Sequence, residues 1–276
     1  MRKILSTALA GIMTVLTLTS CSSDKNSDTS KSDSDISTIK NGVLKIGMEH
    51  SYPPLEYLDE DGTTLIGFDV ELGKAIADKL GLEAEFINNA FDTIGEALNR
   101  DEFDVAISAI SITDARKESH IMSKAYIENK ISLVTAKDKG INSPDDLKGK
   151  KVAVQRGTTA DIYMTELAEK NSEYKDSDIA RYDSVMNCFE EIKNGRADAV
   201  MVDIVVANYY IGEDKDSFTI SWQSEEPEPF GFQLKKGNEA LLEKLEKVVD
   251  ELYADGTVET IAKKYFGEDA EIAAER

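Results

Sequence analysis

The chain has 276 residues, with 53 Asp plus Glu against 32 Lys plus Arg and a formal charge of −21. Its composition, 41% apolar and 31% charged, is that of a globular protein and excludes a multi-span membrane protein or a disordered one. Such an acidic chain offers no basic surface to displace phosphate counterions, which excludes a nucleic-acid partner. At roughly 150 residues per domain, the length allows one large or two modest domains. Two cysteines and two histidines supply no disulfide framework and little material for a metal centre.

Residues 1–20 read as an export signal rather than as part of the fold. Arg2 and Lys3 precede an apolar run from Ile4 to Thr19, shorter than the ~20 residues that span a bilayer. The run ends in Leu18-Thr19-Ser20-Cys21, which resembles the lipobox of bacterial lipoproteins; that resemblance implies a lipidated Cys21 as the mature N-terminus. Residues 21–40 then form a tether, because the stretch from Ser22 to Thr38 holds seven Ser, two Thr and four Asp and cannot bury a core. The second thiol, Cys188, lies among Val185, Met186 and Phe189 on an expected helix and is a buried structural cysteine.

From residue 43 onward, strand and helix patterns alternate. Val43–Met48 is an apolar strand, and Phe68, Leu72, Ile76 and Leu80 recur at helical spacing until Gly81. Alternation through Leu82, Ala84 and Phe86 marks a second strand; a helix around Thr93–Asn99 and a strand at Phe103–Ile107 follow. The order βαβαβ implies parallel strands with crossover helices. A second cycle opens with a helix start at Ser143-Pro144-Asp145-Asp146. It continues through strands at Lys151–Gln155, Ile179–Tyr182 and Ala197–Val202 and helices at Thr158–Glu169 and Val185–Lys193. A last helix places Leu241, Leu242, Leu245, Val248, Val249 and Leu252 on one face. The fold class is α/β with two lobes.

No chemistry of turnover stands out. His50 and His120 lack a nearby nucleophile elbow, no glycine-rich phosphate loop of standard spacing occurs, and no metal-ligand spacing or cofactor motif is present. The pattern favours binding over catalysis.

At Gly67-Phe68-Asp69-Val70-Glu71-Leu72 the chain resembles the signature of the extracellular solute-binding proteins of amino-acid ABC transporters, family 3. Tyr52-Pro53-Pro54-Leu55-Glu56, Ser111-Ile112-Thr113-Asp114-Ala115-Arg116, Gln155-Arg156-Gly157-Thr158-Thr159 and Gly195-Arg196-Ala197-Asp198-Ala199-Val200 with Asp203 resemble further family segments, in the right order. The Lys235-Lys236-Gly237-Asn238 and Asp255-Gly256-Thr257 landmarks agree, so the resemblance covers about residue 43 to Gly267. It implies a type II periplasmic-binding-protein fold, with one lobe at residues 41–131 plus 226–276, the other at 132–225, and crossings near Ser132–Thr135 and Glu225–Pro229.

The resemblance also implies a site for a zwitterion between the lobes. Arg116 would grip the α-carboxylate in a bidentate fork, with Ser111 and the Thr159 amide at a helix N-terminus assisting. Asp203 would take the α-ammonium, also serving as a helix N-cap, and a carbonyl near Ala109 would share it. Tyr52 and Phe91 would wall the side-chain pocket, and Glu49 would face the ligand side chain, unless it turns outward or pairs with Lys45. The partners so implied are a free amino acid, the membrane permease and ATPase of an ABC importer, and the membrane itself through the lipid anchor. The expectation is an extracytoplasmic, monomeric, non-enzymatic receptor for a polar amino acid: basic, amide or cystine-like. Two rival readings stand beside it: a cleft enzyme of the prephenate/arogenate dehydratase type, as some relatives of the family are, and a cell-surface sensory or adhesive module.

Overall fold

A computed structural model describes residues 37–137 and 139–268. Cys21, the expected signal and most of the expected tether lie outside the described residues. The tether's end does not: Ile39 N–H donates to Asp104 Oδ1 at 2.7 Å, and Lys40 bridges to Val43. Order on the first sheet therefore begins about two residues earlier than composition suggests, because the Asp104 carboxylate caps both Ile39 and Lys45 amides.

The first part of the chain gives β1 (Val43–Met48), β2 (Ser51–Tyr52), β3 (Glu56–Leu58), β4 (Leu65–Ile66), α1 (Phe68–Leu80), β5 (Glu83–Asn88), α2 (Ile94–Asn99), β6 (Val105–Ala106), α3 (Asp114–Ser119) and β7 (Ile121–Met122). The middle gives β8 (Ile131–Ala136), β9 (Val152–Gln155), α4 (Thr159–Lys170), β10 (Ile179–Tyr182), α5 (Val185–Lys193), β11 (Ala199–Asp203), α6 (Ile204–Glu213) and β12 (Phe218–Gln223). β13 (Gln233–Leu234), α7 (Glu239–Ala254) and α8 (Thr257–Phe266) complete it. The expected α/β class is met.

Two five-stranded sheets result, ordered β5-β1-β6-β13-β7 and β10-β9-β11-β8-β12, with β2, β3 and β4 in a small third sheet. β1 runs parallel to both β5 and β6, and β9 parallel to both β10 and β11, as the alternating pattern requires. β13 returns antiparallel to β6, and β8 lies antiparallel between β11 and β12. The chain thus leaves the first sheet after β7 and comes back to it at β13.

Gly81 ends α1 in the left-handed conformation, φ 69°, and the following Leu82 amide returns to Ala77 O at 2.9 Å. α1 packs on α7 and α8. The α7 stripe buries Leu241, Leu245, Val248, Val249 and Leu252, each contributing about 1.5–3 kcal/mol of apolar burial. Leu242, expected on that face, is only partly buried at its margin. The expected helix start at Ser143 becomes a short 3₁₀ turn, Pro144–Leu147, with a capping box between Ser143 and Asp146. Lys148-Gly149-Lys150 stops it, with Gly149 at φ 68°. The Cys188 thiol is fully buried, and burial pushes its ionisation far above the ordinary range.

Candidate functional site

In parallel sheets the loops that follow the carboxyl ends of strands gather on one edge, where side chains can converge on a ligand. Here the residues after β1 and β6 meet those ending β9, β10 and β11. Several side-chain contacts join the two halves of the chain at this edge. Ser51 Oγ bonds Ser184 Oγ at 3.1 Å, Gln155 Nε2 donates to Glu49 Oε2 at 3.2 Å, the Tyr52 hydroxyl donates to Asp203, and the Ser111 and Thr159 hydroxyls lie 3.4 Å apart. Gly157 marks how closely the chains approach: a Cβ there would come within 2.9 Å of Asp92, and its φ is 76°. Only glycine suits that position.

Arg116 sits in the first turn of α3, which Thr113 caps by accepting the Arg116 amide at 3.2 Å. Its Nη1 donates to Ser111 O at 2.8 Å, and the guanidinium lies 5.5 Å from the centre of the Phe91 ring. This fixes the fork against an aromatic face. Burial pulls the guanidinium below its ordinary value, while Asp203, Glu228 and Tyr52 hold it up. Thr159 opens α4 behind its capping neighbour Thr158, whose side chain accepts from the Asp161 amide.

Asp203 ends β11 and occupies the N-cap position of α6, but its side chain makes no capping bond there. Its oxygens instead accept from Tyr52 Oη and, at 2.6 Å, from Asn129 Nδ2. Burial lifts this carboxyl to about 7, opposed by those two donors; Glu228 raises it further and Arg116 lowers it. Glu49 is buried and turned toward the second sheet, accepting from Ser51 Oγ as well as Gln155, and burial raises it above its ordinary value. It does not pair with Lys45, whose ammonium donates to Glu102 O at 2.9 Å. Ala109 is buried in a left-handed turn, φ 46°, with its amide donating to Asp69 Oδ2 at 2.9 Å.

Sequence reasoning missed Gln155, Asn129 and Glu228 as members of this cluster. Gln155 carried a signal, a lone polar residue ending the apolar strand Val152-Ala153-Val154. Asn129 and Glu228 carried none; they meet because the outgoing and returning chain segments pair there, Glu228 N–H to Asn129 O at 2.7 Å. Burial raises Glu228, with Thr159 and Arg116 opposing. Three buried acceptors here, Gln155 Oε1, Asn129 Oδ1 and Glu228 Oε2, have no hydrogen-bond partner among the described residues. An unmet buried acceptor costs about 1–3 kcal/mol, so the cluster is suited to receiving N–H donors. Among the described residues no group of three or more His, Cys, Asp or Glu side chains could hold a metal ion, and no helix is long and apolar enough to cross a membrane.

Comparison with known proteins gives consistent results. The L-cystine-binding protein TcyJ of Escherichia coli (strain K12) is 32% identical over 230 residues, 83% of this chain and 84% of the relative. A solved ancestral arginine-binding protein bound to arginine shares 38% identity with a TM-score of 0.77, covering 82% of this chain and 99% of that one. The ancestral amino acid-binding protein AncCDT-1, described as a precursor of cyclohexadienyl dehydratase, shares 32% identity with a TM-score of 0.73 over 82% of this chain and 96% of that one. The model of the bacterial extracellular solute-binding proteins, family 3, matches residues 44–268, most of the chain, and the protein belongs to that family.

Proposed function

We propose that the protein is a lipid-anchored receptor that closes around a free polar amino acid and delivers it to the permease and ATPase of an ABC importer. The carrying observation is that Arg116, half-buried on α3, and Asp203, buried at the end of β11, converge from the two halves of the chain and act on each other through space at the edge where Tyr52 bonds Asp203. The two lobes would be residues 41–131 plus 226–276 and residues 132–225. Arg116, with Ser111 and Thr159, would hold the α-carboxylate. Asp203 would hold the α-ammonium, whose three N–H groups match the unmet acceptors of Asn129 and Glu228 beside it. Contacts from both lobes to one ligand stabilise the closed arrangement over the open one.

Membership in the family and relatives named for cystine and arginine binding support this reading. The relative linked to a dehydratase is itself described as an amino acid-binding protein, which favours binding over turnover here too. Calorimetry of the soluble mature chain against all amino acids and cystine tests the proposal. Saturable heat with at least one polar amino acid is expected; turnover of arogenate without amino-acid binding would replace it with the enzyme reading.

Glu49 is the proposed reader of the ligand side chain. Each of its oxygens already has one protein donor, and each retains a lone pair. A cationic or N–H-bearing side chain satisfies those lone pairs in a dry cleft, whereas leucine leaves them unmet. Glu49→Gln should therefore cost an arginine or lysine ligand roughly 10- to 100-fold in affinity, the ~1.5–3 kcal/mol of a hydrogen bond to a charged group, and leave leucine almost unchanged. Leucine binding tightest to the wild type, or an unchanged ranking in the variant, would remove Glu49 from that role.

Membrane attachment is proposed to run through Cys21. Cys21→Ala should abolish labelling by a tagged fatty acid in cells and release the protein from the membrane fraction. Undiminished labelling in that variant would place the anchor elsewhere.

A further inference from the structure

Directly beneath this edge lie two carboxyl groups that ligand binding, as proposed above, does not use. Glu56 on β3 and Asp69 in the first turn of α1 are both fully buried and close enough to act on each other's ionisation. Two carboxylates in contact cannot both ionise in such a place. Their four oxygens show how the conflict is resolved. Glu56 Oε1 accepts from Ser108 Oγ at 2.7 Å, and Asp69 Oδ2 accepts from the Ala109 amide at 2.9 Å and Tyr126 Oη at 2.8 Å. The remaining two, Glu56 Oε2 and Asp69 Oδ1, are buried and have no donor. One proton satisfies both at once.

We propose that Glu56 keeps this proton and donates it to Asp69, and that the resulting acid–carboxylate pair positions the backbone of Glu49 and Ala109 for the ligand. The asymmetry of donors assigns the roles. Asp69 accepts from an amide and a phenol and is the better anion; Glu56 has a single hydroxyl donor. Burial and the neighbouring Asp69 push Glu56 well above the carboxylate range, while Asp69 rises only to about 6. The titratable groups facing the pair are Glu49, Tyr52 and Tyr126, and none of them is a cation that could neutralise it instead.

The pair reaches the site by two short chains. The Glu49 amide donates to Ser108 Oγ at 3.1 Å, and Ser108 in turn donates to Glu56. The Ala109 amide, in a left-handed turn that disfavours any residue with a Cβ, is held by Asp69 itself. A second unpaired charge at Glu56 would repel the carboxylate that pins this turn.

The sign of the pH effect follows. Folded Glu56 keeps a proton that the unfolded chain loses near the ordinary glutamate value, so wild-type stability falls as pH rises across that window, by up to about tenfold in the folding constant per pH unit. Glu56→Gln replaces the O–H donor by an N–H donor that does not titrate and keeps an acceptor for Ser108. Three measurements test the pair. In an Asp203→Asn background, which removes the other carboxyl held near 7, infrared spectroscopy at pH 7 should show the carbonyl stretch of a protonated carboxylic acid with Glu56 present and its loss in Glu56→Gln. Denaturant titrations from about pH 5 to 8 should show the variant gaining on wild type, by up to about tenfold per unit. Calorimetry with arginine and cystine as probes, the arm that rests on the proposed function, should find Glu56→Gln within about threefold of wild type and Glu56→Leu weakened more than about tenfold. Absence of an acid band that Glu56→Gln removes, or parallel pH profiles, overturns the shared proton. Equal affinities of the Gln and Leu variants overturn the positioning role, and if Glu56→Leu fails to fold, Glu56→Ala takes its place. A wild type that binds no amino acid removes the functional reading and with it the positioning role, while the infrared and stability arms still decide the proton.

Discussion

Arg116→Ala is expected to lower amino-acid affinity by roughly 30- to several-thousand-fold, the ~2–5 kcal/mol that truncating one partner of a buried charge pair costs. The surroundings of this arginine argue for a binding role over a structural one. Of the five N–H donors of a guanidinium, the contacts described use one, to Ser111 O. Among the described residues no carboxylate lies within ion-pair distance of it, although Asp203 and Glu228 act on it through space. It is a desolvated cation with most of its fork unspent, stacked on Phe91 so that the fork stays planar and aimed. A ligand carboxylate supplies the bidentate acceptor it lacks. Because α3 is capped by Thr113 and not by Arg116, the variant should unfold at nearly the wild-type temperature. Arg116→Lys should fall between the two, keeping the charge and losing the fork. Near-native affinity in a folded Arg116→Ala protein would mean that the carboxylate is held elsewhere.

The skeleton of the fold was legible because its signals are local. Helical spacing through Phe68, Leu72 and Ile76 with Gly81 behind it, and alternation at Ala84 and Phe86, each specify one element without help from distant residues. The limits were equally physical. Residues 204–213 were anticipated only through the cap at Asp203, and capping is the one thing the Asp203 side chain does not do, because two donors from elsewhere occupy its oxygens. The lone polar Gln155 at the end of an apolar strand was visible as an anomaly but had no partner in sequence; its partner, Glu49, is more than a hundred residues away. Glu56 and Asp69 were read as pieces of a motif, and nothing local reveals that β3 and α1 press two carboxyls together. Periodicity reports which way a side chain faces, not which side chain of another element it meets there.

The pH dependence of binding provides the sharpest test of Asp203. Burial holds its carboxyl at about 7, against the pull of Tyr52, Asn129 and Arg116. A ligand ammonium beside it favours the ionised form, so below about pH 7 binding must release a proton that the free protein holds. Affinity is therefore expected to be flat just above pH 7 and to fall as pH drops, approaching tenfold per unit. A ligand without a charged side chain, such as glutamine, isolates this effect from Glu49, whose carboxyl is also raised by burial. Asp203→Asn should remove the acidic limb and lower affinity at pH 8 by roughly 30-fold or more, since an amide cannot pair with the ammonium as a carboxylate does. Glu228 is the competing candidate: it is raised by burial, acts through space on the same guanidinium, and has a buried oxygen without a donor. If the limb survives in Asp203→Asn and vanishes in Glu228→Gln, the ammonium belongs to Glu228, and Asp203 serves to hold Tyr52 and Asn129 in place.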